Sequence, residues 1–496
     1  MENNPSPSLL KSFPRVFWVA NAMELFERGA YYGMNSVLAV YLTNSIAEKG
    51  LGFTEQAVGF LQSIIYAMTY ILPILAGALA DQYGYRRILL FAFSFLSAGY
   101  FLAGHTTTYG TVFASLLLMA TGSGLFKPII TGVVARVTNE KTSGMGFGIY
   151  YWMINMGAFL APLVVSYLKG FSWSYVFIAS SIYCGLMLLP TIFLFQDPPK
   201  PEKTRTLKEV LSGAAMVLGD ARFMLMIFVY SGFWVLYFQT FGSVLWFLRD
   251  FIDPTPVNRF MAALGIANFS FESEHVTVIN AGIIILLQFF VSRLLKDAKP
   301  LPTMVAGIGL GVIGFICLAF TTSIEMFMAS IAIFTLGEMT AHPKYYSYIG
   351  IVAPSDRKTV YMGYAFLYGI IGSLFGSNLG GAMYSSMLKP MIGQPQAFET
   401  ARNFWFIFVG LGLLATLGLL LYNHFLAQDT PQTNRTARKI MLAVYLTIVA
   451  TGAYFCYVSL AGASIAYKTL VQAILMMAIG SGGFAISLPG AKPRSE

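Results

Sequence analysis

Three ionisable residues lie close together in the first long apolar stretch of the chain, which covers about residues 14–43. Glu24, Glu27 and Arg28 stand at positions i, i+3 and i+4, so they share one face of an α-helix. Tyr31 extends that face by one turn. A charge left alone in hydrocarbon is costly, so such groups face a protein interior or an aqueous cavity and commonly mark ion or substrate pathways. The alternative is a buried ion pair that only fixes helix packing.

The composition indicates an integral membrane protein. Hydrophobic residues make up 56% of the chain and charged residues 11%, with a mean hydropathy of +0.67, whereas soluble chains carry about 25% charged residues. Residues 1–12 are polar, so no cleavable signal peptide is expected. The three cysteines fall in apolar runs, which argues against disulfides and zinc sites. No metal site and no cofactor are expected.

Fourteen apolar stretches are long enough to cross a bilayer. They lie near residues 14–43, 55–80, 88–104, 109–137, 143–168, 173–195, 222–251, 275–296, 301–322, 324–352, 359–387, 403–426, 437–461 and 466–488. An even number places both termini on one side. The loops on that side hold roughly three times as many Lys and Arg residues as the opposite loops, which predicts a plasma (inner) membrane protein with both termini in the cytoplasm. The same asymmetry explains the net charge of +9 without a nucleic-acid partner.

A polar, proline-containing segment divides the chain into parts. We predict a six-helix bundle at residues 1–195, a cytoplasmic linker at 196–221, a second six-helix bundle at 222–426, and two additional transmembrane helices with a tail at 427–496. Two related halves are typical of transporters. The final pair lacks buried ionisable residues, so we interpret it as packing or oligomer-contact helices and leave the oligomeric state open.

The short connection between the second and third stretches carries a distinctive pattern of glycine and charge. It places Gly77, Asp81, Gly84, Arg86 and Arg87 in the order G-x-L-A-D-x-x-G-x-R-R. Glycines permit a tight turn, the aspartate can pair with a base or cap a helix, and the arginines can face headgroups or helix C-termini. An anchoring loop explains the arginines but not the Gly–Asp–Gly spacing. The pattern resembles the cytoplasmic loop motif of the major facilitator superfamily.

Further motifs resemble those of the proton-dependent oligopeptide transporters within that superfamily. They comprise E-x-x-E-R-x-x-Y-Y-G at 24–33, G-S-G-L-F-K-P at 122–128, G-I-Y-Y-W-M-I-N-M-G at 148–157, F-W-V-L-Y-F-Q at 233–239, and Gly337-Glu338 followed by Pro343. The resemblance covers roughly residues 14–426. It implies an all-α major facilitator fold whose twelve-helix core couples proton entry to the import of di- and tripeptides by alternating access.

The predicted proton-coupling residues are few. They are Glu24, Glu27, Arg28, Lys127 and Glu338. Helical register places the acids and the lysine at similar depth, so we expect them to meet in one central cavity. Three carboxylates and two cations leave this set one charge negative when ionised and neutral after it binds one proton, which suits a proton-coupled carrier.

The predicted substrate-binding residues include some of the same side chains. A zwitterionic peptide needs an anchor at each end, so we assign its carboxylate to Arg28 and Lys127 and its amine to Glu338. The remaining candidates are polar or aromatic residues expected to line the pocket. They are Tyr31, Tyr32, Tyr66, Asn155, Trp234 and Gln239.

Several positions depart from the family pattern and keep other functions open. Gly29 replaces a common aromatic, Phe238 stands where many bacterial members have an acid, and His342 replaces a common serine before the helix-ten proline. One alternative is a facilitator of another small solute, such as nitrate, a drug-like compound or a modified amino acid. A second is a non-transporting sensor or scaffold. An enzyme is disfavoured because the chain shows no nucleophile–base pair, metal-ligand spacing or phosphate loop.

Overall fold

The computed structural model describes residues 13–139, 142–197, 206–354, 357–461 and 467–488. Parts of three sequence predictions lie outside these ranges. They are the polar segment 1–12, most of the proline-containing part of the linker (198–205), and the C-terminal tail at 489–496.

The first half of the chain consists of long helices followed by a short linker helix. These are α1 (Arg15–Thr43), α2 (Glu55–Tyr83), α3 (Tyr85–Ala103), α4 (Tyr109–Val137), α5 (Ser143–Lys169), α6 (Trp173–Leu186), α7 (Leu188–Phe193) and α8 (Leu207–Leu218). Helices α6 and α7 together form one apolar span, and α8 belongs to the predicted linker.

The second half contains more interrupted spans than the first. Its helices are α9 (Ala221–Tyr237), α10 (Ser243–Phe251), α11 (Thr255–Ala263), α12 (Ser273–Leu294), α13 (Pro300–Phe320), α14 (Ile324–Val352), α15 (Lys358–Tyr364), α16 (Leu367–Met383) and α17 (Ala397–Phe425), and the C-terminal pair is α18 (Pro431–Ala461) and α19 (Tyr467–Ser487). A 3-10 turn at Phe238–Phe241 and Gly242 separate α9 from α10. The predicted stretch 222–251 is therefore two helices rather than one.

Thirteen helical spans in the described part of the chain are long and apolar enough to cross a membrane. Helix α1 is not among them, although its 29 residues exceed the length that a bilayer requires. It carries Glu24, Glu27 and Arg28 in its middle. With α1 included, the described residues provide the fourteen spans predicted from the sequence, and the all-α membrane fold is confirmed.

The two six-helix halves each have their own packing, and the two largest contacts between them are both helix pairs. In the first half α1 packs against α5 and α6, and in the second α13 packs against α14 and α17. Between the halves, α2 packs against α16 and α5 against α12. We call the membrane side where α1 begins the near side and the side where it ends the far side.

Close backbone contact at the far-side end of the α2–α16 pair depends on glycine. A Cβ added to Gly59 would overlap the Ser377 carbonyl oxygen, and one added to Gly381 would overlap that of Glu55. Small residues allow helices in membranes to approach in this way. The two halves therefore form a tight seam here, which we call the far-side seam.

The turn between α2 and α3 holds four of the five residues of the predicted loop motif at or near its bend. Gly84 adopts a φ of 97°, a region that favours glycine. Asp81 pairs with Arg136 of α4 at 2.8 Å and accepts a hydrogen bond from the Tyr85 hydroxyl at 3.0 Å. Gly77 lies inside α2, and a Cβ added there would meet no atom within 4 Å. The expectation that the turn requires Gly77 is therefore wrong.

The two arginines of this motif have different surroundings. Arg86 donates from Nε to the Thr191 carbonyl oxygen at 3.1 Å and from its guanidinium to the Ile192 carbonyl oxygen, both in α7. Its backbone amide also donates to Asp197 at 2.7 Å. Arg87 is exposed. The loop motif thus attaches the α2–α3 turn to the end of the sixth span on the near side.

The C-terminal pair lies at the periphery of the second half. Helix α18 packs against α19 and α9, while α19 contacts the linker helix α8. At the start of the pair, Asp429 forms an ion pair with Arg222 of α9 at 3.1 Å. Most residues of both helices are not buried by protein, as expected for helices that face lipid on one side.

Candidate functional site

The charged face of α1 is completed by one residue of α4. Arg28 donates to both carboxylate oxygens of Glu27, at 2.5 Å from Nε and 2.7 Å from Nη2. The Ser123 hydroxyl donates to Glu27 at 2.9 Å and accepts from Arg28 at 3.2 Å. All three residues are buried. Glu27 and Arg28 therefore form a bidentate, charge-assisted pair whose charges largely cancel.

Glu24 has a different environment from Glu27, one helical turn away. Its side chain is fully buried, and its nearest ionic contact is the Nε of Arg28 at 3.7 Å. Within the described residues, neither of its carboxylate oxygens accepts a hydrogen bond of 3.5 Å or shorter, and the Tyr150 hydroxyl of α5 is its one weaker hydrogen-bonding partner. A buried carboxylate with so few hydrogen bonds is costly when charged. Among the α1 acids, Glu24 is thus the one whose geometry favours binding a proton.

Lys127 of α4 projects between the two halves. Its Nζ lies 5.2 Å from the ring centroid of Tyr70 in α2 and 5.4 Å from that of Phe366, which precedes α16. No carboxylate within the described ranges forms an ion pair with it. Contact with aromatic rings stabilises the ammonium in part, but an anionic ligand would stabilise it further.

Arg28 and Lys127 line the same cavity, which has a volume of about 430 Å³. The guanidinium of Arg28 lies 4.8 Å from the ring centroid of Tyr31. The other lining residues come from both halves. They are Tyr32, Thr69, Tyr70, Ser123, Tyr237, Phe238 and Phe241. The first half thus contributes two cations and three tyrosines to a central cavity.

A second cavity of about 340 Å³ adjoins the first and shares three aromatic residues with it. The shared residues are Tyr32, Tyr237 and Phe241, and the others are Thr240, Val276, Thr277, Asn280, Ile331 and Phe334. Asn280 of α12 donates to the carboxylate of Glu338 at 3.0 Å and to the Thr335 hydroxyl at 3.0 Å. Glu338 is only partly buried. The second half thereby holds an acid beside the cavity system, opposite the two cations.

Two predicted lining residues, Tyr66 and Trp234, lie behind the cavity wall. The Tyr66 hydroxyl donates to Asn35 at 2.6 Å, and its ring stacks on Phe238 with centroids 5.2 Å apart. Trp234 stacks on Tyr368 at 4.4 Å. Phe238 therefore occupies the cavity wall that Tyr66 was expected to form.

The amides of Asn155 and Gln239 are used for helix contacts. Asn155 donates to the Tyr151 carbonyl oxygen within α5 at 2.9 Å. Gln239 donates to the carbonyl oxygens of Val235 at 2.8 Å and Gly376 at 2.9 Å, which links α9 to α16. Neither residue lines the two cavities, so their positions do not support the substrate contacts predicted for them.

Ion pairs across the far-side seam were not identified from the sequence. Lys389 lies 2.9 Å from both carboxylate oxygens of the buried Glu55. Arg249 approaches Glu55 to 3.7 Å and donates to the Thr43 hydroxyl at 2.8 Å. Each contact joins the first half to the second. Only the placement of charges at span ends could have indicated them.

A second set of ion pairs joins α5 to the start of α12 on the same side. Lys169 lies 2.5 Å from Glu272 and 2.7 Å from the buried Glu274. Together with the seam at α2 and α16, this cluster holds the halves together at the far side. Both sets of ion pairs thus lie at the far-side ends of the helices that they join.

Neutralising Lys389 should loosen the far-side seam. We expect Lys389→Met to increase the rate at which a membrane-impermeant thiol reagent on the far side labels Ser377→Cys by roughly threefold or more, because Glu55 loses a partner while it remains buried. The three native cysteines are replaced by serine in this background. Ser377 suits the reporter because its hydroxyl is buried and makes no hydrogen bond in the described structure.

Lys49→Met provides the control for this change. Lys49 is an exposed far-side residue that forms no ion pair within the described ranges. Its removal should leave the labelling rate unchanged. Equal labelling in the Lys389 and Lys49 variants would show that the ion pair does not hold the seam closed.

Comparisons with known proteins find membrane transporters among the relatives of this chain. The family model described as Major Facilitator Superfamily matches residues 28–377. A segment of 203 residues is 32% identical to dipeptide and tripeptide permease A of Klebsiella pneumoniae (strain 342), covering 39% of each protein. Another of 183 residues is 30% identical to the uncharacterized transporter YclF of Bacillus subtilis (strain 168), covering 36% of this chain and 37% of that relative.

Solved structures extend the likeness to most of the fold. A crystal structure of the peptide transporter POT in complex with sulfate gives a TM-score of 0.68 at 19% identity, over 85% of this chain and 95% of that one. A POT family transporter in complex with 5-aminolevulinic acid gives 0.64 at 18% identity, over 84% and 99%. At this identity the structures establish the fold. Because the family model matches more than half of the sequence, the chain belongs to the Major Facilitator Superfamily, and its resemblance to the oligopeptide transporters of that superfamily is confirmed.

Proposed function

We propose that this protein is a proton-coupled symporter that imports di- and tripeptides by alternating access. The observation that supports this most is the cavity between the halves, with Arg28 and Lys127 on one side and Glu338 beside the other. Such an arrangement is complementary to a zwitterion. The similarity to a protein named dipeptide and tripeptide permease A supports peptides as the solute.

In this mechanism Lys127 and Arg28 bind the peptide carboxylate, and Glu338 binds its amine. Among the described residues Lys127 has no carboxylate partner to displace, whereas Arg28 must share its guanidinium with Glu27. Glu24 carries the proton. With Glu24 protonated, the set of three acids and two cations is neutral, so closing the cavity around it is less costly than closing it around a net charge.

We further propose that both termini are cytoplasmic and that the membrane is the plasma (inner) membrane. The far side is then extracytoplasmic, and the ion pairs of Glu55 and Lys169 close the outer entrance. One proton crossing ~100 mV provides about 2.3 kcal/mol, and one pH unit adds about 1.4 kcal/mol. Together these would sustain roughly 500-fold accumulation of a net-neutral solute.

Uptake into proteoliposomes tests the proposal. We expect labelled dialanine to accumulate above its external concentration only when a proton gradient, acidic outside, is imposed. Dissipating the gradient with a protonophore should reduce uptake to equilibration. Equal peptide uptake with and without the proton gradient would overturn the assignment. A failure to accumulate any of a panel of small peptides would also overturn it.

A second candidate is the transport of another solute with an amine and a carboxylate. One structural neighbour holds 5-aminolevulinic acid, and the cavity here requires only two opposite charges at a suitable separation. Competition decides between these substrates. If the alternative solute is the preferred substrate, excess dialanine should suppress its uptake only weakly. Excess alternative solute should then suppress dialanine uptake strongly, because the peptide is the poorer ligand.

The C-terminal pair should be dispensable for transport. We expect a chain ending at Thr430 to retain peptide uptake within about threefold, because the pair packs at the periphery of the second half. The end point preserves the ion pair between Asp429 and Arg222. Uptake is normalised to folded protein in the membrane. Complete loss of uptake with normal folding would show that α18 and α19 belong to the transport core.

A further inference from the structure

A chain of side-chain hydrogen bonds runs across three helices near the far side. Gln472 of α19 donates from Nε2 to Oδ1 of Asn378 in α16 at 2.5 Å. Asn378 in turn donates from Nδ2 to the Ser63 hydroxyl of α2 at 2.8 Å and to the Leu374 carbonyl oxygen at 2.7 Å. The chain thus connects the C-terminal pair to both halves.

The orientation of the Asn378 amide depends on Gln472. Both N–H groups of Asn378 are already used, by Ser63 and by Leu374, so its carbonyl oxygen points away from the seam towards α19. Within a bilayer that oxygen has no water to bond with, and an unsatisfied polar group there is unfavourable. Gln472 is the residue that satisfies it in the described structure. Without this bond, rotation of the Asn378 amide would let its oxygen find another donor, and the hydrogen bond to Ser63 would be lost.

Asn378 lies at the far-side seam, so the orientation of its amide affects the contact between α2 and α16. It follows Ser377, whose backbone contacts Gly59 at the far-side seam. The bond from Asn378 to Ser63 joins the two halves, so it exists only while α2 and α16 are together. In contrast, α19, which carries Gln472, packs on α18, and α18 packs on α9 of the second half. Because Asn378 also belongs to the second half, we expect Gln472 and Asn378 to move together when the seam opens.

We infer that α19 is a positioning element for the far-side seam: Gln472 holds Asn378 in the orientation that bonds Ser63 and thereby favours the state closed at the far side. The inference rests on the alternating access proposed above. It assigns the C-terminal pair a role in setting the balance between states rather than in binding substrate.

Thiol labelling of the full-length chain tests this role. With Ser377→Cys as the reporter in the cysteine-free background, we expect Gln472→Met to increase far-side labelling roughly threefold to tenfold, the effect of one interhelical hydrogen bond in a membrane. Methionine keeps the length of the side chain and removes the amide. Gln472→Leu serves as a second variant if the first folds poorly, with thermal unfolding as the check on folding.

A double-substitution cycle separates positioning from general packing. Ser63→Ala alone should increase labelling, and adding Gln472→Met to it should have little further effect, because the bond that Gln472 orients is already absent. Gln288→Met is the matched control, since within the described ranges the side chain of Gln288 bonds only Ser292 of its own helix, and it should leave labelling unchanged. Unchanged labelling in Gln472→Met, or effects of the two substitutions that multiply fully, would overturn the inference.

The readout distinguishes this inference from the proposed function. Labelling requires neither a peptide nor a proton gradient, so it reports on the seam even if the protein carries a different solute. Unchanged labelling combined with normal peptide uptake would reject the role of α19 alone. Faster labelling without any peptide uptake would reject the proposed substrate and leave the role of α19 intact.

Discussion

Replacing Glu24 by glutamine is expected to abolish gradient-driven peptide accumulation while leaving peptide exchange across the membrane largely intact. Glutamine has the shape of a protonated glutamate but cannot release a proton. Glu24 accepts no hydrogen bond of 3.5 Å or shorter within the described structure, and the amide oxygen of glutamine can keep its weaker contact with the Tyr150 hydroxyl, so the substitution removes little besides the charge. Accumulation should therefore fall to equilibration, whereas counterflow of labelled for unlabelled dialanine should stay within about threefold of the parent protein.

Glu27→Gln should affect coupling and folding together. Glu27 accepts two hydrogen bonds from Arg28 and one from Ser123, and the loss of its charge leaves the buried guanidinium with only the more distant Glu24 carboxylate, at 3.7 Å, as a described ionic partner, a severe defect. We expect a lower unfolding temperature in addition to lost accumulation. Uncoupling with unchanged stability is predicted only for Glu24→Gln.

Glu325→Gln is the control for both variants. Glu325 is an exposed acid in the first turn of α14 on the far side, so its replacement should leave accumulation and stability unchanged. If both α1 variants still concentrate peptide under a proton gradient, their carboxylates are structural and the proton is carried elsewhere.

The charged face of α1 was predictable because its evidence is local. Three charges within five residues of a spanning helix are costly in lipid, and helical spacing alone places them on one face. The structure shows that this face is directed at Ser123 and the central cavity. Sequence spacing also directed attention to Asp81 and Gly84, which form the turn between α2 and α3 together with neighbouring residues.

Contacts between distant segments were not predictable in the same way. Glu55 and Lys389 are 334 positions apart, and each looks like an ordinary loop-end charge until the two halves assemble. Gln239 shows the opposite case. Its residue type and helix were consistent with a substrate contact, but the break at Gly242 and the close approach of Gly376 direct its amide to the backbone. A single sequence gives no orientation for such a side chain.

Lys127 shares a cavity with Arg28, but its contacts differ from those expected. Register placed it level with the acids, and the structure shows it in the same cavity as Arg28. However, its nearest partners are the rings of Tyr70 and Phe366 rather than a carboxylate. This difference strengthens the case for Lys127 as a ligand group, because an ammonium that is not already paired has more to gain from a peptide carboxylate.

Glu338→Gln is expected to raise the half-saturating concentration for free-amine peptides by roughly tenfold to a hundredfold, the range for a lost charge-assisted hydrogen bond. The structure makes this a clean substitution. The Glu338 oxygen that accepts from Asn280 at 3.0 Å is retained as an amide oxygen, so the link between α12 and α14 survives while the negative charge is removed. Phe238 leaves no acid on the neighbouring wall, so no second carboxylate from that wall would compensate.

N-acetylated peptides provide the comparison that tests whether Glu338 binds the amine of the peptide. They lack the cationic amine but keep the carboxylate that Lys127 and Arg28 would bind, so their half-saturating concentration should change by less than about threefold. The measurement is initial uptake at several concentrations of dialanine and of N-acetyl-dialanine, in the parent and in Glu338→Gln. Equal increases for both peptides would mean that Glu338 supports the fold of the cavity or carries the proton, and that the amine is recognised by another part of the second half.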